Sequence, residues 1–336
     1  MAVNLGTRNF TKVVAKSEAA FGTPATFNDA NGELLFLDVV GAVDQGKTLD
    51  LGDDKSAAIR AIRIANQATL TGIQPVVSFG AANISMRNLP LFFDGLSSIT
   101  PTGAGPYQWA YTPSMVDLDT LKTYSLFVQD GYKSYVVDGC TPSEITISAD
   151  ASGLLQGGIT YNARNIAETA NVSTAAISTQ PFLPGRLFGL STKSTFMVKA
   201  GTGGTAYTNH LTSWSLTLTP GAAPLQAMSG SLNYGGVAYT SAMNGTLELT
   251  ISSNSTAATI FPYDSIGTQK FIRLAGVDAA GYGLTILASC VVENVSVIGS
   301  DSDGLILNTA TLQLAYDTTS TKTIEVYVDS PLAARP

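Results

Sequence analysis

One passage of this chain is written twice, and the second copy starts 150 residues after the first, the separation of Cys140 and Cys290. The first copy runs Asp130-Gly131-Tyr132, Cys140, Glu144-Ile145-Thr146-Ile147, then Gly153 and residues 154–165. The second runs Asp278, Gly281-Tyr282, Cys290, Glu293-Asn294-Val295-Ser296-Val297, then Gly304 and residues 305–316. A third echo lies upstream, where Gly72 to Phe79 and then Phe93-Asp94-Gly95-Leu96 match Gly245 to Ser252 and then Tyr263-Asp264-Ser265-Ile266. A period this long describes one domain used twice rather than a solenoid of small units. Residues 1–178 and 179–336 are therefore read as two tandem domains.

The segments inside each copy alternate apolar and polar residues with period two, the signature of half-buried strands. Examples are Ile145/Ile147, Trp214/Leu216/Leu218, Leu247/Leu249/Ile251, Leu312/Leu314/Tyr316 and Ile324/Val326/Val328. Turn residues punctuate them at Asp130-Gly131, Ser152-Gly153, Pro220-Gly221 and Asp303-Gly304. The expected fold class is all-β: two tandem β-sandwich or barrel-like domains, each with one short flanking helix, at residues 83–96 and 256–266. Pro90 and Pro262 stand inside those two segments, where a helix interior resists proline. Residues 99–120 form an insert with no counterpart in the second copy, residues 166–185 read as an extended linker, and residues 41–58 read as a long irregular loop, the usual form of a functional segment.

Only 13% of the residues are charged, so hydroxyls and amides must cover the surface. A formal net charge of −7 and a pI near 4.7 exclude a protein that grips nucleic acid through its phosphates. No apolar run reaches the roughly 18 to 20 residues of a membrane helix, and the N-terminus lacks the order of a signal peptide, so a cytoplasmic origin is expected. The two cysteines occupy equivalent places in two domains and are expected to be buried and unpaired.

Residues 41–48, Gly-Ala-Val-Asp-Gln-Gly-Lys-Thr, fit the phosphate-loop pattern G-x-x-x-x-G-K-[ST]. The chemistry needs a helix to begin at the lysine, and Leu49-Asp50-Leu51-Gly52-Asp53-Asp54 puts a glycine and paired acids there instead. His210 is the only histidine, which leaves no His-based triad or His cluster, and the Asp pairs lack the spacing of a calcium loop. The chain is expected to have no enzymatic activity, no cofactor and no metal.

The opening Glu18-Ala-Ala-Phe21-Gly22-Thr23-Pro24-Ala25 resembles the start of tail tube proteins of long-tailed, siphovirus-like bacteriophages, and the Tyr132 to Ser148 and Thr212 to Thr219 segments resemble that family's core. The resemblance implies a virion protein assembled in the host cytoplasm, in which tube domains close six to a ring. With two domains per chain, three chains would make one pseudo-hexameric ring. It also implies partners: further copies in the stacked tube, a tape-measure protein in the lumen, tail-tip or baseplate and tail-terminator proteins, and phage DNA passing without specific binding. Phe21, Gly22, Thr23, Pro24, Asp44, Lys47, Asp50, Asp53 and Asp54 are the candidate ring-to-ring or subunit contacts, and Asp or Glu is expected to dominate lumen-facing positions. The alternative reading is a two-domain adhesin or tail-tip receptor-binding protein.

Overall fold

The structure, a computed structural model, describes residues 12–336 apart from 29–30, 38–42, 44, 55–61, 98, 114–120, 130–132, 171–176, 188, 200–203, 207–209, 226–230, 234, 253–260, 263–264, 297–299 and 303–304. Among these the chain is all-β, with 21 strands and one α-helix. The N-terminal half holds β1 (Lys12–Ser17), β2 (Glu33–Leu35), β3 (Lys47–Asp54), β4 (Ile62–Ile73), β5 (Val76–Asn83), α1 (Leu89–Phe93), β6 (Tyr107–Tyr111), β7 (Tyr124–Gln129), β8 (Ser134–Ala149), β9 (Leu155–Asn162) and β10 (Asn165–Thr169). A 3-10 turn, Ile177–Thr179, lies where the two copies were divided. The C-terminal half holds β11 (Gly189–Lys193), β12 (Thr205–Ala206), β13 (Leu211–Thr219), β14 (Ala222–Leu225), β15 (Gly236–Tyr239), β16 (Asn244–Ser252), β17 (Gln269–Val277), β18 (Gly283–Val295), β19 (Ser300–Ser302), β20 (Leu305–Leu314) and β21 (Ile324–Ser330).

The two halves repeat one pairing scheme, all of it antiparallel. In the first, β2–β1–β7–β8–β10 form one layer and β5–β9–β8 another. In the second, β12–β11–β17–β18–β21 and β16–β20–β18 repeat both. The long strand of each half belongs to both layers and changes partner at its cysteine: Cys140 is the last residue of β8 to face β7, and Cys290 faces both β17 and β20. A residue enclosed by two sheets at once has no room for a large side chain, and both cysteines are fully buried and free. Burial pushes the Cys290 thiol up to about 12 and the Cys140 thiol up as well.

Two strand pairings cross between the halves. β13 of the second half pairs with the distal part of β8, Leu218 opposite Ile145 and Trp214 opposite Ala149. β6, from the first-half insert, extends the second half's layer beyond β21, with Trp109 opposite Val328 and Tyr111 opposite Val326. The alternation of each strand then sends its apolar side to one shared interior, so Val77, Ile145 and Tyr161 lie in the same buried cluster as Leu216, Leu247 and Leu312. The described sheets do not close on themselves into a barrel.

Several expectations are corrected. The helix expected over 83–96 is confined to Leu89–Phe93, because Asn83 still belongs to β5 and Pro90 is tolerated only in a first turn, where its missing N–H is not needed. The corresponding 256–266 segment lies mostly outside the described residues. The linker over 166–185 begins as β10, paired to β8, and the loop over 41–58 contains β3, which pairs with β4 in a two-stranded arm. The upstream match was three residues out of register: Val77 faces Tyr161 as Leu247 faces Leu312, an offset of 170, the same that relates Asp94 to Asp264.

Candidate functional site

The layer that crosses the molecule runs β5–β9–β8–β13–β16–β20 and ends on the last residues of β18. One face of it is interior. The other carries Ser78, Thr160, Thr146, Ser148, Ser215, Thr217, Thr246, Thr250, Thr309, Thr311 and Gln313, lined up across strands by the register. Neither β5, β9, β13, β16 and β20 nor residues 141–149 of β8 contain any Lys, Arg or Asp; their charges are Glu144 and Glu248, both exposed, and Glu293 stands beside them on β18. The polar groups bond along the sheet: Thr246 Oγ1 donates to Gln313 Oε1 (3.3 Å), Gln313 Nε2 to Glu293 Oε2 (2.8 Å), and Thr160 Oγ1 to Ser78 Oγ (3.2 Å). Gly158 leaves a notch of 160 Å³ between Glu144, Thr146 and Phe79. Acidic side chains therefore do not dominate this face. Hydroxyls do, because a β-branched threonine suits an exposed strand position without bringing charge.

The predicted contact residues fall in two places. Phe21, Gly22, Thr23 and Pro24 form a turn after β1 that is organised from within the chain. The Glu18 carboxylate accepts from Ser125 Oγ (2.8 Å), Gly139 N (2.8 Å), Thr123 Oγ1 (2.7 Å) and Gly22 N (3.2 Å). Arg164 Nη1 donates to Gly22 O (3.0 Å) and stands 3.4 Å from Asp138, whose carboxyl is raised by burial against the opposing pull of Arg164. The turn is thus braced within its own half, with Thr23 and Pro24 exposed on it. Lys47, Asp50, Asp53 and Asp54 lie on β3 of the arm, far along the chain from that turn, and Asp44 lies outside the described residues.

Lys47 and Thr48 open a strand rather than a helix, so the phosphate-loop pattern has no helix N-terminus to present. Gly46 is needed there for another reason: its φ is +56°, and a Cβ would lie 1.9 Å from Gln74 O at the base of the arm. Among the described residues there is no group of three or more His, Cys, Asp or Glu placed to hold a metal. No described helix is long and apolar enough to cross a membrane.

Sequence reasoning missed a second organised region, the clasp made by the C-terminal residues. Arg335 donates to both oxygens of the fully buried Asp94 (2.7 and 2.9 Å) and to Ile99 O, and its guanidinium lies 5.4 Å from the centre of the Trp109 ring. Tyr111 and Tyr124 donate their hydroxyls to the same carboxylate, and burial together with that negative charge holds both phenols well above their ordinary range. Ser17 N and Oγ reach Pro336 O at 2.7 and 2.6 Å, and Trp109 Nε1 donates to Leu332 O (2.9 Å). A lone Arg at position 335 gives no sequence signal of a partner 241 residues away.

No family model matches the chain, and the search of curated proteins returns no match.

Proposed function

We propose that the chain is a ring-forming structural subunit whose hydroxyl-rich sheet face lines a channel, as in the tail tube of a long-tailed bacteriophage. The observation that carries this reading is the single sheet that continues through both halves, polar and free of Lys, Arg and Asp on one side, with the interior on the other. Two tandem copies of one unit set side by side in this way repeat a step that further chains can take, and three chains would give six units. A wall of Thr, Ser and Gln with sparse glutamates offers a polyanion no ion pair, while the three carboxylates repel it weakly. Transit without capture is the mechanism, and the absence of cations contributes more to it than acidic charge does. The reading includes further copies stacked into the tube, a tape-measure protein and DNA in the lumen, and end-capping tail proteins as partners.

Electron microscopy of the purified protein tests it. Closed rings or tubes with a regular axial repeat support the reading; a protein that stays monomeric at high concentration and when seeded with short tail fragments overturns it in favour of the adhesin. The wall chemistry has its own check. Thr217→Lys with Thr311→Lys should turn a face that ignores duplex DNA into one that retains it at low salt, with the salt-dependent loss expected of phosphate contacts.

A further inference from the structure

Two crossings between the halves meet at Trp109. Its backbone on β6 lies opposite Val328 of β21, so the first half reaches into the second there. Its indole N–H donates to Leu332 O and its ring lies against the Arg335 guanidinium, so residues 331–336 return from the second half to the first. Their path is held at few points. Ser330 Oγ donates to Met86 O (2.8 Å) and accepts from Leu332 N (3.2 Å), Leu332 is buried in the shared interior, and Pro336 O accepts from Ser17. Ala333 and Ala334 between them are exposed. A segment fixed at separated points, with exposed residues between, opens at lower cost than a strand inside a ladder. The slot that takes Arg335 is built without it. Asp94 closes α1, Tyr124 on β7 pairs with both β1 and β8, and Trp109 and Tyr111 on β6 pair with β21. Its chemistry selects one side chain. Arg335 Nε and Nη2 meet the two Asp94 oxygens as a fork, Nη1 donates to Ile99 O, and the flat cation lies by the Trp109 ring, a set of contacts that an ammonium group does not reproduce. Tyr111 and Tyr124 add hydrogen bonds but no charge, so the buried carboxylate needs a cation.

We infer that Asp94, Ile99 O, Trp109, Tyr111 and Tyr124 form a recognition site for an arginine-bearing extended segment, and that residues 331–336 are the strap that fills it. The strap opens and re-seats as one unit while the sheets stay folded. Because Trp109 is held by β21 through its backbone and by the strap through its indole, the strap is also the lock on the β6–β21 pairing. The first-half insert leaves β21 only after Arg335 has left Asp94. The slot comes from the first half and the strap from the second, so filling the slot requires both halves to be folded and side by side.

The inference does not rest on the ring reading and is tested by hydrogen exchange on separated chains. Ser17 N–H and Trp109 Nε1–H stand on different strands, and each has a strap carbonyl as its acceptor. Corrected for intrinsic rates, the two should exchange within about threefold of each other and at least about tenfold faster than the β16 amides. Arg335→Lys, which keeps a cation and loses the fork, should speed both protons at least about tenfold and leave β16 unchanged. In Arg335→Ala, methylguanidinium should slow both again, and methylammonium at the same concentration should not. Unequal rates, or two protons that ignore Arg335→Lys, would overturn the strap. If Arg335→Ala does not fold, recovery of the fold with methylguanidinium alone supports the site. In either case, equal rescue by the two cations, or rescue by neither, would overturn it.

Discussion

The two halves follow the same strand scheme but end it differently at one edge. β10 and β21 are equivalent strands, each the last that its own half adds to its layer, and counting back from the cysteines with allowance for the one-residue bulge in β8 places Glu168 where Val326 stands. Val326 is fully buried beside its cross-strand neighbour Tyr111 of β6, whereas Glu168 is exposed and paired to the exposed Lys133 (2.8 Å). An uncovered edge in one half carries an ion pair, and the covered edge in the other carries valine. An exposed ion pair of this kind adds little stability, so its use lies in discouraging a strand from adding there. The two halves thus treat equivalent edge strands differently: β21 is covered by β6, and β10 carries an exposed ion pair.

The largest expected effect comes from the clasp, which only the covered edge possesses. Arg335→Ala leaves Asp94 buried without its cation, and the loss expected for one partner of a buried pair is about 3–5 kcal/mol in denaturant unfolding. A loss under about 1 kcal/mol would show that the two tyrosines alone hold the carboxylate.

Next is a difference within the long strands. β8 carries a bulge between Val137 and Cys140 that β18 lacks, since Lys270, Ile272, Cys290 and Ala288 pair in unbroken register. Gly139 takes up the extra residue at φ +65°, and a Cβ there would lie 2.6 Å from Arg164 Cβ. Gly139→Ala should cost about 2 kcal/mol or more, from left-handed backbone and overpacking together. Near-neutral unfolding energetics would mean that the bulge relaxes without harm.

Removing the guard sharpens the comparison of edges. Lys133→Thr with Glu168→Val should leave the melting temperature nearly unchanged and introduce concentration-dependent association visible in light scattering. Unchanged scattering would show that the shortness of β10 protects it by itself.

The smallest effect is local. Asp150 accepts from Ser152 Oγ and Ser152 N in the turn between β8 and β9, and these bonds hold its carboxyl below the usual aspartate range, whereas the second half passes from β18 to β20 through β19. A lowered folded-state value means that the turn's contribution is present above the ordinary aspartate pKa and lost as pH falls through the folded one. NMR titration of Asp150 should show this, and Ser152→Ala should return the carboxyl toward the ordinary range.

The all-β class, the period-two faces and the duplication about the two cysteines were legible in the sequence, because alternation and repetition are local properties that survive without coordinates. The bracing of the turn after β1 was legible only in part. Glu18, Phe21, Gly22, Thr23 and Pro24 stood out as a motif, but a one-dimensional pattern does not distinguish a residue that meets a neighbouring chain from one that braces its own half. The loop over 41–58 concealed the strand Lys47–Asp54 because Gly52 and the paired acids Asp53 and Asp54 are residue types that strands disfavour.

By itself the sequence determined which side of each strand is apolar, that one passage occurs twice, and that cations are missing from the strands of one layer. Tertiary structure alone decided that β13 crosses to β8, that β6 crosses to β21, and that Arg335 reaches Asp94. Backbone N–H and C=O groups are the same at every residue, so which strand satisfies which edge depends on where the whole chain places them, and no local pattern encodes that choice.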